Sequence, residues 1–142
     1  MKMGILSTIA ITGLLASSSV PMMHTTATEM SDLESAIWMV ETSQCPGDCP
    51  AGDGGNALGP LQIWECAWTD VAKEGESYSD CENLDYSLEV FRRYTARYAT
   101  EKRLGHPPTA EDKARIWNGG PNGYKKTSTV KYWNKVNKEM KK

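Results

Sequence analysis

Residues 45–56, Cys-Pro-Gly-Asp-Cys-Pro-Ala-Gly-Asp-Gly-Gly-Asn, crowd four glycines, two prolines and two cysteines into twelve positions. No helix survives such a run. Proline removes backbone donors, and glycine loses the most freedom on ordering. The segment cuts the first amphipathic stretch of the chain from everything after it. A loop must therefore follow a helix directly, and the side chain that ends that helix stands at the edge of the loop. That side chain is Glu41.

The stretch before the break carries its own start signal. Ser31-Asp32-Leu33-Glu34 is a capping box, and Leu33, Ala36, Ile37 and Val40 follow at helical spacing. A helix over about residues 32–43 is predicted. A carboxyl group at its end meets the negative pole of the helix dipole, and apolar neighbours add desolvation; both favour the protonated acid. A small β-hairpin is expected in the loop, with Asp53-Gly54-Gly55 at its turn. Pro60 suits a helix start, so a second helix is expected over about 60–72, with Leu61, Trp64, Trp68 and Val71 on one face.

Further on, Asn83 to Tyr86 opens a third helix with Leu88, Phe91, Tyr94 and Tyr98 as its buried stripe, closed by Gly105 and Pro107-Pro108. Thr109 to Asp112 caps a short helix through Ile116 and Trp117, and residues 118–123 form a loop. Thr127 or Ser128 is expected to cap the last helix, with Val130, Trp133, Val136 and Met140 facing inward. The sum is an α+β, mainly helical domain with about five helices and one small β-hairpin.

The chain has 142 residues, enough for one domain with one core. Residues 1–27 read as a secretory signal: Lys2, then an uncharged apolar run over 3–16, then small and polar residues. The apolar run is short for a bilayer, though an uncleaved anchor is the rival reading. The domain proper spans 28–142, and no membrane insertion is expected after signal removal. The net charge of -2 gives no overall basic excess, so no nucleic-acid partner is expected. Lys125, Lys126, Lys131, Lys135, Lys138, Lys141 and Lys142 nonetheless crowd the end. They form either a solvated helix face or a positive surface for an anionic polymer such as a bacterial cell wall.

Cys45, Cys49, Cys66 and Cys81 are an even set behind a signal, which reads as two disulfides. Three pairings are possible. Cys45–Cys49 with Cys66–Cys81 is favoured because each pair is local. Zinc is the competing reading, since Cys45-x-x-x-Cys49 has nearly a half-site spacing. Cys66 and Cys81 are too widely separated for the second half, and no metal is expected.

Glu41 and a second carboxylate one short loop later supply the two groups that cleave glycosidic bonds: one gives a proton, the other meets the developing positive charge. The plain alternative is a surface glutamate at a helix end. Trp68, Trp133, Tyr94 and Tyr98 belong to buried stripes. Trp64, Trp117 and Tyr124 are nearer the expected cleft, where a sugar platform and a structural role stand open. Asn118 precedes Gly119-Gly120, so it either presents its amide to substrate or simply closes a helix.

Glu41, then Gly59-x-x-Gln62-Ile63, then Ile116-Trp117-Asn118-Gly119-Gly120-Pro121, resembles the lysozyme-like superfamily. Residues 115–123 with Thr129-Val130-Lys131-Tyr132-Trp133, and Tyr94-Thr95-Ala96-Arg97-Tyr98, are similar to signatures of the invertebrate-type lysozyme, or destabilase, family. The likeness covers about residues 33–136. It implies a lysozyme-like domain: a secreted, bacteriolytic muramidase that hydrolyses β-1,4 bonds of peptidoglycan without a cofactor. It places the catalytic pair on Glu41 and Asp53, with Asp48 as rival for the second position. Gln62, Trp64, Trp117, Asn118, Gly119 and Tyr124 become the substrate contacts. Peptidoglycan or a chitin-like oligosaccharide is the expected partner of a monomeric enzyme. The chain departs from the family in having fewer cysteines, Tyr124 where many members have cysteine, and Thr42-Ser43 after the glutamate. Rival functions are a lytic transglycosylase using the lone glutamate, a non-catalytic wall-binding protein, and an isopeptidase.

Overall fold

A computed structural model describes residues 29–142, and the expected signal segment lies outside the described residues. Among the described residues there are six α-helices: α1 Asp32–Thr42, α2 Glu65–Thr69, α3 Leu84–Tyr98, α4 Glu101–Leu104, α5 Ala110–Gly119 and α6 Val130–Glu139. One antiparallel hairpin joins β1, Ala57–Leu58, to β2, Ile63–Trp64. The architecture is the mainly helical α+β arrangement that the sequence predicts.

α1 begins where the capping box puts it. The Ser31 N–H donates to Glu34 Oε2 at 2.8 Å, and Ser31 Oγ accepts from the Glu34 N–H. Glu34 is buried and takes a two-pronged ion pair from Arg92 of α3, with Nε to Oε1 at 2.6 Å. A buried carboxylate stripped of its partner costs about 3–5 kcal/mol, so this pair pins α1 to α3. α1 ends with Ser43 in the left-handed region at φ 53°, its N–H bonded to the Met39 carbonyl. Two side chains then fasten the end of the helix. Trp38 Nε1 donates to the Cys45 carbonyl at 2.7 Å, and Thr42 Oγ1 donates to the Pro60 carbonyl at 2.9 Å.

The helix expected over 60–72 does not form. Gly59-Pro60-Leu61-Gln62 is instead the turn of the hairpin, and α2 is only the short stretch Glu65–Thr69. The reason is tertiary. Gly59 sits at φ 73° against the Cys81 carbonyl, where a Cβ would overlap it. Gln62 adopts φ 50°, and its N–H returns to the Gly59 carbonyl at 3.0 Å. Leu61, at the apex, is fully buried and anchors the turn in the core. The turn expected at Asp53-Gly54-Gly55 does appear, as one 3-10 turn spanned by a bridge between Gly52 and Ala57. Tyr78 straps the hairpin to the body, its hydroxyl donating to the Ile63 carbonyl at 2.6 Å.

Behind the hairpin lies one main core: Leu33, Ala36 and Ile37 of α1, Leu88, Val90 and Phe91 of α3, Ala114 of α5 and Val136 of α6. α5 is central, packed by α1, α3 and α6. A second cluster forms where Tyr94 and Ile116 meet Trp117, Tyr98 and Tyr124.

Three further expectations need correction. Only Cys45 and Cys49 are joined; Cys66 and Cys81 are free. Cys66 faces solvent on α2, whereas Cys81 is sealed in the core beneath Gly59. Burial pushes the Cys81 thiol up to about 12, which holds it protonated and unreactive. Val130, expected to face inward, is 39% exposed at the start of α6, while Thr129 just before the helix and Val136 within it are buried. The last helix is preceded by a 3-10 turn, Thr127–Thr129, with no side-chain cap.

Candidate active site

The hairpin, α1, α2 and α5 enclose a cleft of about 400 Å³. α1 contributes Glu41. The hairpin region contributes Gly52, Asp53, Gln62, Ile63 and Trp64; α2 adds Ala67, and α5 adds Trp117 and Asn118.

Glu41 is half-buried in the cleft wall. Tyr132 of α6 donates its hydroxyl to Glu41 Oε1 at 2.5 Å. The Glu41 carboxyl is pushed up from 4.5 to about 7. Burial is the leading cause, because a charged carboxylate there loses its water. The Tyr132 hydrogen bond and the Lys135 charge pull in the other direction, and the negative charge of Asp53 adds to the rise.

Asp53 opens the 3-10 turn with φ 48° and is exposed, with Asn56 Nδ2 bonded to its carbonyl at 2.7 Å. Gln62 keeps this loop in place. Its Nε2 donates to the carbonyls of Gly59 and Pro50 at 2.9 and 3.2 Å, and its Oε1 lies where a Cβ on Gly52 would be. Asp48, in the loop closed by the Cys45–Cys49 bridge, does not line the cleft.

Trp64 stands at the rim with 46% of its surface exposed, an aromatic plane open to a ligand. Trp117 is both wall and core: it meets Phe91 and Tyr94 edge-on at centroid distances of 5.2 and 5.7 Å. Asn118 is exposed beside it.

Two of the sequence-predicted contacts are placed elsewhere. Gly119 packs on the Thr129 side chain and gives its carbonyl to Lys126 Nζ at 2.7 Å. Tyr124 bonds the Arg103 carbonyl at 2.9 Å and packs on the second cluster. Neither lines the cleft. Tyr132 is the residue that sequence reasoning missed. Its only signal was a polar-tipped aromatic one turn before Val136, on the side of α6 that faces the core.

The destabilase family model matches residues 36–139. The chain belongs to the destabilase family. This destabilase-family chain is 38% identical to a lysozyme of Meretrix lusoria over 91 residues, covering 63% of this chain and 73% of the relative. It is 36% identical to an invertebrate-type lysozyme of Ruditapes philippinarum over 101 residues, 70% of this chain and 73% of that one. The crystal structure of inhibitor-bound lysozyme from Meretrix lusoria superposes with a TM-score of 0.64 at 36% identity, covering 76% of this chain and 88% of the other. The destabilase-family chain is thus a lysozyme-type glycoside hydrolase.

One departure from the family pattern has a structural counterpart. Ser43 and Gln44, after the acid, both adopt positive φ, at 53° and 63°. That conformation favours glycine. The bonds from Trp38 and Thr42 hold this strained exit in place.

Proposed function

We propose that this chain is a secreted muramidase that hydrolyses the β-1,4 bonds of bacterial peptidoglycan, with Glu41 as general acid and Asp53 as the second carboxylate. The observation that carries the reading is the contrast between the two groups. Glu41 holds its proton near neutral pH, and Asp53 presents a negative charge to the same cleft. An acid kept neutral by burial, beside a second carboxylate on the same cleft, is a usual basis for separate acid and anion roles.

In this mechanism Glu41 donates its proton to the leaving sugar oxygen. The bond to the sugar's anomeric carbon breaks, and positive charge spreads over that carbon and the ring oxygen. Asp53 stabilises this charge or bonds to the carbon. Glu41, now a carboxylate, takes a proton from water as the water oxygen bonds to the anomeric carbon; any bond from Asp53 to that carbon breaks in the same step, and Asp53 leaves as a carboxylate. Trp64 offers a face on which a sugar ring can stack, and Asn118 an amide for its polar groups. The Cys45–Cys49 bridge suits an oxidising compartment, in keeping with secretion.

Mass spectrometry of a peptidoglycan digest tests the reaction type. Fragments with hydrated reducing ends are expected. Anhydro-muramic ends would make the enzyme a lytic transglycosylase, in which Asp53 has no required role. Binding without any fragment release would leave only a wall-binding protein.

A further inference from the structure

The carboxyl group of the acid is not steadied by its own helix. Among the described residues, the one hydrogen bond to it comes from Tyr132 on α6, 91 positions away in the chain. That bond occupies Oε1. Oε2 has no hydrogen-bond partner, yet no buried side-chain oxygen among the described residues lacks one. Oε2 is therefore solvent-accessible and unpartnered, on a side chain that lines the open cleft.

We propose that Tyr132 is a positioning residue for hydrolysis: its hydroxyl occupies Glu41 Oε1 and thereby fixes the catalytic proton on Oε2, facing the sugar linkage. The inference rests on Glu41 being the general acid. A neutral carboxyl has one hydroxyl oxygen and one carbonyl oxygen, and a phenol donor pairs with the carbonyl oxygen. The proton is left on the other. As that proton moves to the leaving sugar oxygen, Oε1 gains negative charge and the Tyr132 bond strengthens. The bond is then stronger in the transition state than in the ground state, which is the condition for it to accelerate the reaction.

Tyr132 is suited to remain the donor. Burial and the nearby Glu41 hold its phenol well above the usual tyrosine range, so it keeps its own proton. The other charges that act on Glu41 are Asp53 from the hairpin loop and Lys135, one turn further along α6. Both remain in place when the Tyr132 hydroxyl is removed, so that variant isolates the phenol.

Tyr132→Phe keeps the ring and loses the donor. On soluble peptidoglycan fragments, kcat is expected to fall roughly 10- to 100-fold with KM within about twofold. The alkaline limb of the kcat profile should move up by about one pH unit, because a carboxylate deprived of a donor holds its proton more tightly. A ring-fluorinated tyrosine at position 132 is a stronger donor in the same shape, and should move the limb the other way. An unchanged limb in both variants, with Glu41→Gln inactive, overturns the inference and leaves the acid assignment standing. A fall in activity that only tracks a lower Tm, with the limb fixed, overturns it equally. An active Glu41→Gln enzyme removes the acid itself, and the role of Tyr132 with it.

Discussion

Glu41→Gln should yield a folded protein that releases almost no fragments from purified bacterial cell walls, with a loss of at least about 10³-fold. Glutamine keeps the size of the side chain and can still accept the Tyr132 bond through its amide oxygen. It has no proton to give. Stability data separate this loss from unfolding. The folded-state pKa of Glu41 is raised from 4.5 to about 7, so the native protein carries an unfavourable buried charge once pH exceeds that range. The penalty is absent at low pH, develops between 4.5 and 7, and is complete above. Replacing the group removes the penalty. The variant should therefore melt at or above the wild-type temperature at pH 8, with the difference shrinking as pH falls from about 7 towards 4.5 and vanishing below that. An inactive variant that is also less stable at pH 8 would point to a structural role for Glu41 instead.

Asp53→Asn should be the second most damaging change, lowering kcat on the order of 10²-fold while Asp48→Asn stays near wild type. The two aspartates are close in sequence and both have positive φ. They differ in placement. Asp53 lines the cleft, and its charge is felt at Glu41, while Asp48 stands in the disulfide loop outside. The asparagine variant should also lower the Glu41 pKa, because one source of the rise is gone. The reverse order of damage would move the second carboxylate into the Cys45–Cys49 loop.

The parts of this fold that were legible in the sequence are those decided within a few residues. Ser31, Asn83 and Thr109 each accept a backbone N–H three positions on, so their caps follow from local chemistry. The position of Glu41 at the end of a helix follows from the cap before it and the Gly/Pro run after it. The hairpin was legible only in part. Pro60 and the apolar residues after it fit a helix start and a buried turn equally well. What decides between them is the Cys81 carbonyl against Gly59, and the Gln62 amide reaching back to Pro50, both supplied by other parts of the chain. Of the two expected disulfides Cys45–Cys49 forms, and Cys66–Cys81 fails for a similar reason: proximity in sequence does not reveal that Cys81 is buried while Cys66 is exposed.

The site divides along the same line. Glu41, Asp53, Gln62, Trp64, Trp117 and Asn118 converge on one cleft, in keeping with their motifs. Gly119 and Tyr124 share a motif with Asn118 but serve the packing behind it. Tyr132 carries no motif that ties it to the acid. Its relation to Glu41 exists only because α6 packs across α1.

Site-resolved titration of the Glu41 carboxyl in the native enzyme, by carbon-13 NMR with Glu41→Gln to assign the signal, tests the central claim most directly. The midpoint should lie at about 7 and coincide with the pH at which activity falls on the alkaline side. A midpoint at the ordinary value of 4.5 would contradict the account, because the acid would already be ionised where it must still hold its proton.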